Sequence, residues 1–294
     1  MIELMVYLLY LPLIILESMP IIFMRNALKQ NIFYGHYSQQ FAQLYNAKCA
    51  NNTPVVIVIH GGYWKDNHNL DSYATSSIVD YLQTFEVAIW NIEYRRMNAE
   101  GENIKAPWPA PFKDIADGID HLRTIKDIEG LDLNRILLIG HSAGGHLATW
   151  AASRASINSD SELYSESPLP IQRIISIAGI LNLHALQDVD QPAQIQRLMG
   201  GSPQTHPERY RACDPCFLNN TYMNLTVVHG RKDACVEVSQ ALHFCSKAKG
   251  NVEQIIIEEA DHFSMLPHDG QWQEAQWQQI KQLIAQQIKG LGVT

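Results

Sequence analysis

The sequence has few cysteines, five in 294 residues, scattered at positions 49, 213, 216, 235 and 245. That number and spacing exclude a disulfide framework and point to a reduced, cytoplasmic setting. Cys213 and Cys216 share the separation of a CxxC pair, but the second pair that would complete a zinc site is missing, so both read as loop thiols. No basic block interrupts a formal charge of -8, which leaves no broad surface for nucleic acid. Neither a G-x-G-x-x-G fingerprint nor a G-x-x-x-x-G-K-S/T phosphate loop occurs, and H-E-x-x-H spacing is absent too. The chain is therefore expected to need no cofactor and no metal.

A clean apolar run of about 20 residues, as a membrane helix requires, is also lacking. Leu4 to Leu16 comes nearest, but it contains Pro12 and is followed by Glu17. With Glu3 before it and Arg25 and Lys29 after it, the run has the wrong flanks for a secretory signal. Residues 1–24 read as an apolar extension to a domain over 25–294, with Met19 and Met24 as alternative starts. Membrane association through residues 4–23 is the competing expectation to the cytoplasmic one. Repeats and low-complexity linkers are missing, so one domain is expected, and the sequence specifies no oligomeric state.

What is present begins at about residue 54, where short β-branched runs start to alternate with longer amphipathic stretches. This is the pattern of an α/β fold with a mostly parallel sheet and helices on both faces. The runs are Val55 to Ile59, Val87 to Ile92, Ile136 to Ile139, Ile174 to Ile177, Leu225 to Val228 and Val252 to Ile257. Helices are predicted over 71–84, 112–128, 143–156, 234–248 and 271–289. The last puts Trp277, Ile280, Ile284 and Ile288 on one face to cover the sheet. Residues 30–50 offer one or two edge strands, and 158–172 reads as a loop. The proline-bearing stretch 182–222 exceeds an ordinary connection and is expected to form a small partial cap.

Reactive groups of such sheets collect beyond the carboxyl ends of the strands. Gly140-His141-Ser142-Ala143-Gly144 follows one strand directly and precedes a helix, the pattern of a nucleophile elbow. A serine hydroxyl needs a base, and His262 past the last strand is assigned that role over His60, His141, His146 and His229. Asp233, after the strand before, is the acid that would orient it. Asp261, Glu258 and Glu259 stand nearer in sequence, but a carboxylate from a neighbouring strand end reaches imidazole Nδ1 more naturally. The amides of Gly61, Gly62 and Ala143 are candidate oxyanion donors. Tyr63 and Trp64 are candidate substrate-binding aromatics, with packing of the loop onto the sheet as the alternative for Trp64.

His60-Gly61-Gly62-Tyr63-Trp64 together with Gly140-His141-Ser142-Ala143-Gly144-Gly145-His146-Leu147-Ala148 resembles the kynurenine formamidase and carboxylesterase branch of the α/β-hydrolase superfamily. The resemblance extends more loosely from Asn31 to Ile288. It includes Asn91-Ile92-Glu93-Tyr94-Arg95-Arg96, Gly230-Arg231-Lys232-Asp233 and Asp261-His262-Phe263. It implies a single domain with an eight-stranded sheet, a triad of Ser142, Asp233 and His262, and an oxyanion hole at Gly61, Gly62 and Ala143. It also implies a small ester or formamide substrate, N-formyl-L-kynurenine among them, cleaved through an acyl-enzyme. Arg95 or Arg96 is expected either to meet a substrate carboxylate or to form a buried ion pair at the strand end. A serine peptidase of related fold and a non-catalytic binding protein are the competing readings.

Overall fold

The β-branched runs form strands because their side chains alternate between two buried faces. Val55, Ile57 and Ile59 pack into one core, while Val56 and Val58 pack into the other. Each fully buried side chain of this kind contributes about 1.5–3 kcal/mol relative to exposure. The computed structural model describes residues 29–45, 52–98, 106, 108–218 and 224–293. Its strands are β1 (Gln30–Phe33), β2 (Phe41–Tyr45), β3 (Thr53–Ile59), β4 (Ala88–Ile92), β5 (Leu131–His141), β6 (Arg173–Ile177), β7 (Asn224–Gly230) and β8 (Asn251–Ile257). They form one sheet of eight in the order β1-β2-β4-β3-β5-β6-β7-β8. The β1–β2 and β2–β4 pairs are antiparallel and all others parallel. The expected edge strands in 30–50 are thus β1 and β2.

Helices cover both faces. One core takes side chains from α2 (Ala110–Asp120), α3 (Leu122–Glu129), α4 (Ala143–Ala152) and α7 (Ser239–Lys247). The other takes them from α1 (Ser76–Leu82) and α8 (Glu274–Lys289), the latter through Trp277, Ile280, Leu283, Ile284 and Ile288. The predicted helix over 112–128 is interrupted at His121, whose ring stacks on Trp90. The stretch 182–222 contains two short helices, α5 (Pro192–Met199) and α6 (Pro207–Cys213). Both start with proline at the first turn, where a missing N–H costs nothing. Both add to the first core, α5 through Ile195 and Leu198 and α6 through Tyr210.

The expectation of membrane association through residues 4–23 is corrected. No helix among the described residues is long and apolar enough to cross a membrane, and the segment 4–23, like the extension 1–24 and its alternative starts, lies outside those residues.

The sheet order fixes where chemistry can occur. After β3 the chain steps to β4 on one side and to β5 on the other, so the carboxyl ends of β3 and β5 flank a switch point. The turns after β7 and β8 open on the same end.

Candidate active site

Strand β5 ends at His141 and α4 begins at Ala143, so Ser142 alone turns the chain from strand to helix. It does so at φ 58° and ψ -123°, a positive φ that residues with a Cβ rarely adopt. Glycines make the turn possible. A Cβ on Gly140 would stand 2.1 Å from the Gly144 carbonyl oxygen, and one on Gly144 would stand 2.2 Å from that of Ile59. Ser142 is buried, and its amide donates to the Ile177 carbonyl at 2.9 Å.

The Ser142 Oγ lies 3.0 Å from His262 Nε2, and His262 Nδ1 lies 2.7 Å from Asp233 Oδ2. A carboxylate only accepts, so Nδ1 carries the hydrogen and Nε2 offers its lone pair to the serine hydroxyl. Asp233 Oδ1 accepts the amides of Cys235 at 3.0 Å and Val236 at 2.8 Å. His229 donates to the Val236 carbonyl at 2.8 Å and stands 3.4 Å from Asp233 Oδ2. Burial alone would raise the Asp233 pKa, but the hydrogen bonds from His229 and His262 outweigh it and hold the carboxyl well below the usual carboxylate range. The other acids near His262 are engaged elsewhere. Glu258 pairs with Arg231, Glu259 with Lys232, and Asp261 accepts the amides of Phe263 and Ser264.

The glycine loop after β3 rests on a buried charged network. His60 Nδ1 donates to the Gly61 carbonyl at 2.9 Å, and Nε2 lies 3.0 Å from Arg96 Nη1 and 3.2 Å from Glu93 Oε1. Arg96 also donates to Glu93 at 2.5 Å, and Glu93 takes the amides of Leu70 and Tyr94. Burial works to raise the Glu93 pKa, but His60 and Arg96 beside it bring it below its ordinary value. Arg95 forks onto Asp114 at 2.7 and 2.8 Å and lies 4.1 Å from the centre of the Tyr37 ring. Both arginines are therefore committed to buried carboxylates, the ion-pair alternative of the sequence reading.

Gly61 and Ala143 flank the serine, and a Cβ on Gly61 would stand 2.6 Å from the His141 carbonyl oxygen. As the first helical residue of α4, Ala143 has an amide with no carbonyl one turn earlier to bond. Tyr63 and Trp64 both adopt positive φ, 50° and 56°. Trp64 is wholly buried and packs edge-on against His146, so it fastens the loop to α4. The Tyr63 hydroxyl donates to Asp190 at 2.6 Å in the segment leading into α5. Among the described residues no group of three or more His, Cys, Asp or Glu is arranged to hold a metal ion. Cys213 and Cys216 are free thiols, both pushed up by burial.

Of three further residues near the serine, His141 and His229 were weighed in the sequence only as alternative bases, and Tyr73 was missed. His229 sits four residues before Asp233, a spacing that signals contact across a turn. His141 donates from Nε2 to the His262 carbonyl at 2.9 Å and takes the Tyr73 hydroxyl on Nδ1 at 2.9 Å. Tyr73 falls within the helix predicted over 71–84, but α1 begins only at Ser76, so the tyrosine stands in the turns before it and nothing in the sequence singles it out.

An imidazole lone pair at a hydroxyl, backed by an ionised carboxylate, can turn serine into a nucleophile. Comparison with known proteins points to a hydrolase of the esterase type. The BD-FAE family model matches residues 43–248. Esterase LipC of Mycobacterium tuberculosis is 24% identical over 239 residues, which are 75% of this chain and 55% of LipC, so the chain spans about half that relative's length. The kynurenine formamidase of Drosophila melanogaster is 22% identical over 242 residues, 79% of this chain and 74% of that one. The propionate-bound thermophilic esterase Est2 of Thermogutta terrifontis superposes with a TM-score of 0.68 at 18% identity, covering 90% of this chain and 94% of Est2.

Proposed function

The chain belongs to the BD-FAE family, an α/β-hydrolase-like esterase family, and from that premise we propose that it is a serine hydrolase of small carboxylic esters. The observation that carries this reading is the run of contacts from Ser142 Oγ to His262 Nε2 at 3.0 Å and from His262 Nδ1 to Asp233 at 2.7 Å. Ser142 attacks the carbonyl carbon as His262 Nε2 takes the hydroxyl proton. The oxyanion so formed is held by backbone amides at Gly61, Gly62 and Ala143. His262 then gives its proton to the departing alcohol, which leaves the acyl group on Ser142. Water enters, His262 removes its proton, and the acid is released with Ser142 restored.

Aryl formamides share the carbonyl geometry, and the similarity to a formamidase over three-quarters of each chain makes N-formyl-L-kynurenine the second substrate to try. A serine peptidase finds no comparable support, and a binding protein would not need an aligned serine, histidine and aspartate. A cytoplasmic setting, expected from the cysteine usage, goes with this reading.

The test is turnover of p-nitrophenyl acetate, p-nitrophenyl butyrate and N-formyl-L-kynurenine by the native chain and by Ser142→Ala. Ester turnover is expected, falling about 10³-fold or more in the variant. A phosphonate ester is expected to label Ser142 stoichiometrically. Formylkynurenine turnover far above ester turnover would move the assignment to the formamidase. Absence of Ser142-dependent turnover on all three substrates, with no labelling, would remove the hydrolase reading.

A further inference from the structure

Tyr73 is buried before α1, in a stretch that carries no motif. Its ring is packed among the imidazoles of His60, His68, His141 and His268, at centroid distances of 6.2, 5.5, 5.7 and 6.2 Å. That packing aims the hydroxyl into the glycine loop, where a Cβ on Gly61 would lie 2.5 Å from the phenolic oxygen. The Ser142 hydroxyl and the Gly62 backbone are among the groups whose polarity acts on this phenol. The phenol oxygen therefore lies against Gly61 and beside His141, next to the loop and the elbow whose amides are the proposed oxyanion donors.

The resting direction of its hydrogen follows from its neighbours. His141 Nε2 faces the carbonyl of His262 at 2.9 Å, and a carbonyl only accepts, so Nε2 is protonated and Nδ1 is bare. Tyr73 donates to that bare Nδ1 at 2.9 Å. Burial drives the His141 pKa down to about 3, so the ring stays neutral and keeps this tautomer through the working range.

We propose that Tyr73 is a third kind of oxyanion donor, a side-chain hydroxyl that turns its hydrogen from His141 Nδ1 to the substrate oxygen as that oxygen becomes negative. Only the hydrogen moves, because the ring is clamped and the oxygen is already in place. A neutral hydrogen bond to a ring nitrogen is exchanged for a charge-assisted one, which is roughly twice as strong. The gain arises in the transition state and is absent in the ground state, so it appears in kcat. This inference rests on Ser142 being the nucleophile and deepens that reading.

The experiment compares the native chain with Tyr73→Phe on p-nitrophenyl butyrate, following kcat, KM and the pH profile of kcat/KM, with melting to check the fold. Loss of an oxyanion donor is expected to lower kcat on the order of 10²-fold. KM is expected to stay within about twofold, and the acidic limb of the profile to keep its position. A residue that acted only through His141 to position His262 would shift that limb, and such a shift would overturn the proposal, as would unchanged kcat. If Tyr73→Phe does not fold, 3-fluorotyrosine placed at 73 supplies the second variant. Its more acidic hydroxyl is expected to change kcat with the limb unmoved, and an unchanged kcat would sink the idea. Ser142→Ala run beside these keeps the two readings apart, because retained turnover there would fell the serine mechanism whatever Tyr73 does.

Discussion

The most consequential single side chains here are those that hold others in place. Glu93 lies buried under the glycine loop with Arg96 at 2.5 Å and His60 at 3.2 Å, and it also takes two backbone amides. Replacing it with glutamine keeps the shape and removes the carboxylate that pairs with the buried Arg96 among the described residues. Glu93→Gln is expected to destabilise the fold by about 3–5 kcal/mol in urea unfolding. Adding Arg96→Met should restore much of the loss, since a buried pair replaced by apolar groups is close to neutral. A loss under about 1 kcal/mol in the single variant would mean that water already screens the pair. The ion pair at this strand end was legible in the sequence as one of two alternatives. Which arginine takes which carboxylate was not, because adjacent residues after β4 point to opposite sides: Arg96 inward to Glu93 and Arg95 across to Asp114.

Most elements were legible through their burial, although β8 was legible from its β-branched run Val252 to Ile257 while exposed over much of its length. The strands from β3 to β7 are apolar on both faces and stood out, as did the face of α8. Strands β1 and β2 carry mixed polar positions because they close the sheet at its edge, and they showed only as a weak possibility. Helices α5 and α6 were hidden by prolines that look like breakers, although at the first turn a proline starts a helix. The segment before α5 is also where the cap meets the site. Val189 bridges to Val236, the Asp190 amide donates to the Cys235 carbonyl at 2.9 Å, and Tyr63 donates to Asp190 at 2.6 Å. Tyr63 sits at φ 50°, so its tie to the cap helps hold a conformation the backbone does not favour. Tyr63→Phe removes a hydrogen bond to an exposed carboxylate, worth about 1 kcal/mol. Spent on shaping the substrate site, that loss is expected to raise KM about fivefold with kcat nearly unchanged. Steady-state kinetics on p-nitrophenyl butyrate checks this, and a fall confined to kcat would place Tyr63 in the chemistry instead.

At the scale of the whole molecule, two neutral histidines couple the site and the cap to acid. His141 joins Tyr73 to the loop bearing His262, and His146 in α4 donates to the Cys213 carbonyl at the end of α6. Burial lowers the first to a pKa of about 3 and the second to about 4. In the unfolded chain both return to about 6.5. Between those limits the unfolded state binds more protons than the folded one, so stability rises with pH. Their contribution is whole above about pH 6.5 and declines as pH falls toward the folded values, by about 1.4 kcal/mol per pH unit for each histidine once well below 6.5. Asp117, raised by burial, acts in the opposite sense, but only nearer the ordinary carboxylate range. Urea unfolding at pH 8.0, 6.5, 5.5 and 5.0 is therefore expected to show a plateau and then a loss. His146→Leu should remove part of the slope below pH 6, since His68 and His121, also lowered by burial, contribute in the same sense, while lowering stability at pH 8, where the Cys213 carbonyl has lost its donor. An undiminished slope in that variant would locate the acid sensitivity outside α4. The same protons would then have nothing to do with the junction between cap and elbow, and the cap would be free to stay docked while the fold weakened elsewhere.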